Sequence, residues 1–103
     1  MNVQGTLPGM ALTLCVLLDA VPGNEQQLID YEDQVLALIP AHGGRVVSRV
    51  RALESGGPYE VHVIEFPSDD ALDAFMSDPQ RTALAPQRDR AIARTTVLRV
   101  AQA

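Results

Sequence analysis

The sequence predicts a small α+β domain in which helices cover one face of an antiparallel sheet. Three observations support this fold class. Segments with the composition of strands alternate with segments of helical periodicity, and glycine and proline residues separate them. The order that results is strand, helix, strand, strand, helix, strand. The length of 103 residues suits one domain, and 47% hydrophobic with 20% charged residues is ordinary globular composition.

The first strand and the first helix open the domain. Ala11–Asp19 is almost entirely apolar, which is typical of a strand buried on both faces in the middle of a sheet. A helix is predicted over Asn24–His42, with Asn24 as its N-cap and Gly43-Gly44 as its stop. Its apolar face is formed by Leu28, Tyr31, Val35 and Leu38. Its acidic residues lie mostly on the opposite side, at Glu25, Asp30, Glu32 and Asp33.

A hairpin follows the first helix. Arg45–Glu54 alternates polar and apolar residues, as the edge strand of a sheet does. Ser55–Pro58 contains the glycines and the proline of a short loop, and Tyr59–Ser68 has the β-branched and aromatic residues of a packed strand. The two strands are therefore predicted to pair with each other.

The register of this hairpin decides which side chains share a face. A plain four-residue loop places Arg51 opposite His62. Glu65 then lies with small apolar residues on the face that the helices cover, whereas Ile64 and Phe66 lie on the opposite face. We therefore expect a ligand near Glu65 and a second subunit against Ile64 and Phe66.

Further helical segments and a last strand complete the domain. Ser68 is the predicted N-cap of a helix over Asp69–Ser77, whose inward residues are Leu72, Phe75 and Met76. Asp78-Pro79 has the residue types that begin another helical piece, which Pro86 interrupts. Arg94–Val100 is the last predicted strand.

The order of the elements predicts the topology of the sheet. Right-handed crossovers put the first and third strands in the centre, which is the ferredoxin-like arrangement. One helical layer covers only one face of such a sheet, and a second copy of the chain is the simplest cover for the other. Residues 1–10 are predicted to form a loose arm, and residues 11–103 a single domain that dimerises.

Composition excludes several classes of function. The net charge of −5 argues against nucleic acid as a partner, although all eight basic residues are arginine. There is no apolar run long enough to span a membrane. Cys15 is the single cysteine, and Met1–Thr6 has no basic residue, so we expect a cytoplasmic protein. Two histidines without ligand spacing argue against a dedicated metal site, and no nucleotide-binding motif indicates a cofactor.

Several short segments resemble a known family. They are His42-Gly43-Gly44-Arg45, Val63-Ile64-Glu65-Phe66-Pro67-Ser68, Asp78-Pro79 and Arg88. Together they resemble a bacterial domain-of-unknown-function family of the dimeric α/β-barrel superfamily, related to the antibiotic-biosynthesis mono-oxygenases and the ether-degradation-type proteins. The resemblance covers Leu12–Val100. It implies a ferredoxin-like subunit whose sheet packs on that of a partner to form a barrel, and it implies no specific activity.

Two residues are the predicted catalytic groups. Glu65 is a carboxylate near the end of a strand, where it can act as a general base or instead pair with an arginine. His42 lies at the predicted C-terminus of a helix, where it can shuttle a proton or simply bond free carbonyl groups. The start of the second strand lies beside the end of the third, so His42 and Glu65 are predicted to form an acid–base couple. His62 is expected to pair across strands or to lie at the subunit interface.

Arginines and a tyrosine are the predicted ligand-binding residues. Arg81 and Arg88 are seven residues apart, so they share a similar helical face and can hold a carboxylate or an enolate. The alternative is a solvated face that pairs with the many acidic residues. Tyr31 belongs to the apolar stripe of the first helix, either as a core residue or as a hydrogen-bond donor to a ligand.

These residues lead to three hypotheses of function. The first is a homodimer that binds a small organic molecule between helices and sheet, as a cofactor-independent oxygenase, isomerase or cyclase that uses general acid–base chemistry. The second is a non-catalytic small-molecule-binding or regulatory dimer. The third is a protein that acts only in assembly with a larger enzyme.

Overall fold

The computed structural model describes residues 11–101 and residue 103, so the predicted arm at residues 1–10 lies outside the described residues. The strands are Leu12–Ala20 (β1), Arg45–Arg51 (β2), Glu60–Phe66 (β3) and Ile92–Val100 (β4). The helices are Glu25–Leu36 (α1), Asp69–Met76 (α2), Pro79–Thr82 (α3) and Ala85–Ala91 (α4), with a 3-10 turn at Ile39–His42.

The four strands form one antiparallel sheet in the order β2-β3-β1-β4. The predicted central position of the first and third strands and the edge position of β2 are confirmed, and the fold is ferredoxin-like. Helices pack on one face, where Tyr31, Val35 and Phe75 meet side chains of the central strands in the main core. A smaller cluster of Leu18, Leu28 and Ala91 closes the other end of this layer.

The first helix is shorter than its apolar pattern predicts. α1 ends at Leu36 rather than at His42, because the ring of Pro40 is incompatible with the helical carbonyl of Leu36 four residues earlier. The chain continues as the 3-10 turn and leaves it at Gly43, whose φ of 76° fits the predicted glycine stop. Asn24 occupies the N-cap position as predicted, but its side chain makes no capping hydrogen bond, because its side-chain amide donates to the Arg90 carbonyl oxygen at 2.7 Å instead.

The caps of the later helices follow the prediction. Ser68 Oγ accepts from the Ala71 amide at 3.1 Å, and an Asp78 carboxylate oxygen accepts from the Gln80 amide at 2.8 Å. Phe75 is buried as expected, but Met76 remains 48% exposed. Met76 faces inward as predicted, because it borders the cavity between the helices and the sheet, but it is not packed in the core.

The predicted register of the hairpin is wrong by two residues. Ala52 bonds to Tyr59 with an N–O distance of 2.9 Å, so the loop is longer than the predicted Ser55–Pro58. Arg51 therefore lies opposite Glu60, and Arg49 opposite His62. The register shifts again between Val46 and Ser48, which places Val46 opposite Ile64. Because side chains alternate with a period of two, a shift of two residues leaves each β2 side chain on the same face as the β3 side chains predicted to accompany it. The bulge is the exception, because it puts Val46 on the face of Ile64 instead of the face of Val63.

The two faces of β3 are assigned the wrong way round by the sequence. Glu60, His62, Ile64 and Phe66 are buried under the helices, whereas Val61, Val63 and Glu65 lie on the outer face, the side of the sheet away from the helices. The large side chains of Ile64 and Phe66 fill the space beneath α1 and α2, which small valines could not fill. Cys15, which pairs with Val63, is half-buried on the same outer face, so this chain by itself encloses β1 on one face only.

Candidate functional site

A cavity of about 390 Å³ lies between the helices and the inner face of the sheet. Its walls are mainly apolar and include Leu14 and Val16 of β1, Ile64 and Phe66 of β3, Val35 and Leu36 of α1, Leu72, Phe75 and Met76 of α2, and Ile92 and Val97 of β4. A few polar groups also border it, chiefly Tyr31, Glu32, His62, Arg81 and Arg88. Apolar walls with a few convergent polar groups are typical of a small-molecule site.

Three ionisable side chains form a buried row beside this cavity. Glu60 is fully buried, His62 is 1% exposed and Glu32 is 5% exposed. His62 Nε2 lies 2.7 Å from Glu60 Oε1, and His62 Nδ1 lies 3.8 Å from Glu32 Oε1. The imidazole therefore lies between two carboxyl groups, of which Glu32 borders the cavity and Glu60 does not.

Glu60 is an ionised anchor for the row. Burial by itself raises the pKa of Glu60, but hydrogen bonds from His62, Arg49 and Arg51 outweigh it and lower that pKa to about 2. Arg49 binds both carboxylate oxygens, with distances of 2.9 and 3.1 Å, and Arg51 binds one. Because an ionised carboxylate only accepts hydrogen bonds, His62 must carry a proton on Nε2. The orientation of the ring is thereby fixed, with Nδ1 toward Glu32.

Glu32 has the opposite electrostatic environment. Burial raises the pKa of Glu32 from 4.5 to about 7, and the nearby charge of Glu60 raises it further. The positive charges of His62, Arg49 and Arg81 lower this pKa but do not outweigh burial. A carboxyl group that titrates near neutral pH can both accept and donate a proton, which is what general acid–base catalysis requires. The strong perturbation and the position beside a cavity make Glu32 the best candidate for that role.

Tyr31 and the two arginines surround the same space. Burial raises the pKa of Tyr31, and the nearby positive charges of Arg81 and Arg88 partly oppose this. The Arg81 guanidinium carbon lies 5.2 Å from the centre of the Phe75 ring. Arg88 is exposed and contacts Asp89 at 3.3 Å, an ion pair that solvent weakens. Tyr31, Arg81 and Arg88, the predicted ligand-binding residues, therefore line one cavity.

Comparison with known proteins identifies the family. Residues 17–101 match the family described as Domain of unknown function (DUF1330). The chain belongs to this family. No curated protein matches the chain with significance.

Solved structures of similar fold come from several bacteria. RPA0582 from Rhodopseudomonas palustris, in methylated form, has a TM-score of 0.75 and 18% identity over 94% of this chain and 83% of that chain. A candidate antibiotic biosynthesis monooxygenase from Caulobacter crescentus has a TM-score of 0.74 and 17% identity over 89% of each chain. An uncharacterised NIPSNAP-like domain protein from Burkholderia xenovorans has a TM-score of 0.71 and 11% identity over 92% of this chain and 87% of that chain. At these identities the similarity shows the ferredoxin-like fold alone.

The two predicted catalytic residues do not border the cavity. Glu65 lies on the outer face, 27% exposed, and its carboxylate binds Arg45 with a 2.9 Å contact. His42 Nε2 lies 2.8 Å from an Asp78 oxygen, and the His42 ring meets Phe75 edge-on with centres 6.0 Å apart. The hydrogen bond from His42 is the main cause of the lowered pKa of Asp78. His42 therefore pairs with Asp78, and Glu65 with Arg45, where an acid–base couple of His42 and Glu65 was predicted. The pairing with an arginine was the alternative interpretation of Glu65, and it is present.

Sequence reasoning missed the residues of the buried row, although one signal was available. Glu32 was assigned to the wet side of α1, but it follows Leu28 by four residues and precedes Val35 by three, so it lies within the apolar stripe. A carboxylate at such a position is either paired or functional. His62 was expected to pair across strands or at an interface, and its actual main partner is Glu60 on its own strand. That contact depends on which face of β3 is buried.

Other parts of the described chain offer weaker sites. A depression of about 530 Å³ beside the hairpin loop is lined by Gly56, Gly57 and Pro58 together with Asp19 and Arg94. The two charged residues there already pair with each other at 3.1 Å. Within residues 11–101 and 103, no group of three or more His, Cys, Asp or Glu side chains is arranged to hold a metal ion. None of the helices in that part of the chain has both the length and the apolar character needed to cross a membrane.

Proposed function

We propose that this protein is a homodimer that binds a small organic molecule in the cavity and transfers a proton to or from it. The observation that carries the proposal is the row of Glu60, His62 and Glu32, which begins at two arginines and ends at an apolar cavity. Buried charges are costly, so a row of ionisable groups at the wall of a cavity is poorly explained as a device for stability alone.

The reaction type follows from the groups that border the cavity. Glu32 removes a proton from a carbon next to a carbonyl group, so the C–H bond breaks, an O–H bond forms on Glu32, and the electron pair moves to the carbonyl oxygen as an enolate. An arginine beside the cavity stabilises the enolate charge. Return of the proton to another carbon gives an isomerisation, and attack of the enolate on a second carbonyl gives a cyclisation. An oxygenase would use molecular oxygen as co-substrate at the same enolate.

His62 and Glu60 support this step in different ways. The 3.8 Å between His62 Nδ1 and Glu32 is too long for a hydrogen bond in this state. The distance places His62 Nδ1 beside the carboxyl group, where a shortened contact would let it accept the proton of Glu32 and leave that carboxylate ionised. Glu60 is a positioning residue because it holds the ring and its Nε2 proton rather than bordering the cavity. The expected base is therefore Glu32, in place of Glu65 or His42.

The experiment uses protein isolated from its own host. Native mass spectrometry identifies a small molecule that travels with the chain, and NMR in deuterated water then measures the rate at which that molecule exchanges its acidic C–H proton. Glu32→Gln should retain the molecule and lose most of the exchange. Glu65→Gln, the same change on the outer face, should exchange like the parent. Exchange that is unchanged in Glu32→Gln would overturn Glu32 as the base. Exchange in the parent that is no faster than in the free molecule would leave a non-catalytic binding dimer as the function.

The homodimer is proposed from the outer face of the sheet. That face carries Val61 and Val63 in its centre, and its side chains Val50 and Leu98 remain 54% and 49% exposed. A contiguous exposed apolar surface on a small domain favours a partner with the same surface. Sedimentation should show a dimer at micromolar concentration and a monomer for Leu98→Glu. Leu53→Glu, in the fully exposed loop, is the matched control and should remain dimeric.

A further inference from the structure

We propose that the molecule bound in the cavity is a small monocarboxylate whose carboxylate is held by Arg81. This inference rests on the proposed function of the cavity and adds the chemical class of its ligand. It depends on the geometry of one guanidinium group, on the charges around it and on the size of the space beside it.

Arg81 is held in place but is not neutralised. Its Nη1 donates to the Met76 carbonyl oxygen at 3.2 Å, and the guanidinium lies over the Phe75 ring. Among the described residues no carboxylate forms an ion pair with it, and its buried Nε has no hydrogen-bond partner there. A buried N–H without an acceptor is destabilising, so an acceptor for Nε has to come from outside the described residues. The cavity that Arg81 borders is where a ligand would bring one.

A carboxylate fits this guanidinium better than other groups do. The planar fork of arginine binds a carboxylate through two parallel N–H donors, and the Nε edge is one of the edges that can do so. Because the stacking on Phe75 and the bond to Met76 already fix the group, little side-chain entropy is lost when a ligand binds.

The other charges of the cavity favour a single negative charge on the ligand. Arg81 and Arg88 contribute two positive charges, of which Asp89 offsets the one on Arg88 through their ion pair. Asp73, an exposed residue of α2, adds a negative charge. Arg81 therefore offers a ligand one positive charge that is not already paired within the described part of the chain. Burial keeps Glu32 largely protonated below neutral pH, so it repels an anion only weakly there. A dianion such as phosphate would face two carboxyl groups, Glu32 and Asp73, with only the half-buried Arg81 to hold it. A monoanion matches the balance of charges.

The volume and the walls define the rest of the ligand. About 390 Å³ lies near the lower end of the range for small-molecule sites. The walls beyond Arg81 are formed by residues such as Leu14, Ile64 and Leu72. A compact body attached to one carboxylate fits this space when it is apolar apart from the carbonyl group that the proposed reaction needs.

The test compares acids with their matched amides. The probes are linear monocarboxylates from butanoate to octanoate, with benzoate and phenylacetate, each paired with its primary amide, and inorganic phosphate as a competitor. Binding is followed by calorimetry and by the Nε–Hε NMR signal of Arg81, which is assigned by its loss in Arg81→Lys. We expect at least one acid to bind about 10- to 100-fold more tightly than its amide, the range for a hydrogen bond to a charged group. The Arg81 signal should shift as that acid is added.

Matched variants separate this inference from the proposed function. Arg81→Gln should remove the preference for the acid, whereas Arg90→Gln, an exposed arginine outside the cavity, should retain it. If acids and amides bind equally well and Leu72→Trp excludes both, the cavity is still the ligand site. In that case the proposal that Arg81 selects a carboxylate is overturned. Tighter binding of phosphate than of every acid would also overturn it. Binding of no probe by the parent protein would count against both the carboxylate and the cavity.

Discussion

Glu32 makes the stability of the fold depend on pH in a predictable direction. The residue is 5% exposed, and its pKa is raised from 4.5 to about 7 by burial. The folded state therefore holds this proton more tightly than the unfolded state does. The resulting stability is fully present below pH 4.5 and is lost as the pH rises through about 7.

The magnitude follows from the two pKa values. The difference between 4.5 and about 7, at about 1.4 kcal/mol for each pH unit, corresponds to about 3 kcal/mol of unfolding free energy. Gln at this position has the same shape and never ionises. Glu32→Gln should therefore lack this loss and be the more stable protein at pH 8, by up to about 3 kcal/mol. Glu60 acts in a separate window, because its pKa is lowered to about 2 and its contribution is lost only in acid.

The assay is urea denaturation followed by circular dichroism at several pH values between 4.5 and 8. Protein concentration is kept constant because a dimer is stabilised by mass action. Glu65→Gln, on the outer face, is the control and should reproduce the slope of the parent. The reasoning is refuted if Glu32→Gln loses stability with rising pH as steeply as the parent does.

Three further predictions concern the packing around the site. Gly44→Ala should destabilise the fold by about 1–3 kcal/mol in thermal denaturation, because an added Cβ would lie 2.8 Å from a backbone oxygen. An added Cβ at Gly57 meets nothing within 4 Å, so Gly57→Ala is the control and should be nearly neutral. If the two variants lose the same stability, the close contact at Gly44 is not the cause of its loss. Glu60→Gln should cost about 1–3 kcal/mol in urea unfolding at pH 7, since it removes the buried anion to which Arg49 and Arg51 donate, and solvent reaches both arginines and moderates the loss. A loss below about 0.5 kcal/mol would mean that solvent and Asp33 replace Glu60 as the partners of these arginines. Phe75→Ala should cost about 3–5 kcal/mol, and a Tm unchanged from the parent would show that the cavity wall does not depend on this ring.

The fold was predictable because its signals are local. Ser68 and Asp78 have the residue types of N-caps, and both accept the expected backbone hydrogen bonds. The alternation along β3 correctly separates His62 from Glu65. The order of strands then follows from the handedness of crossovers, a rule that does not depend on the identity of any side chain.

The site was harder because it depends on two non-local facts. Alternation defines two faces of β3 but does not say which one the helices cover, and the small valines next to Glu65 were misleading on this point. The loop length and the bulge near Val47 are properties of the paired strands, and neither leaves a clear mark in the sequence. Tyr31 was found from its place in the apolar stripe of α1. Arg81 and Arg88 also border the cavity, but they lie on the separate helices α3 and α4, so the shared helical face predicted for them does not exist.

The bulge near Val47 also matters for solubility. β2 is an edge strand, and its free side presents unpaired backbone groups to which a strand of another molecule can add. The bulge interrupts the regular spacing of those groups, and Arg45 and Arg51 bring charge to the same edge. An incoming strand would have to follow the kink and bury an arginine beside it. The irregularity that hides the register from the sequence thereby disfavours the addition of a further strand at this edge.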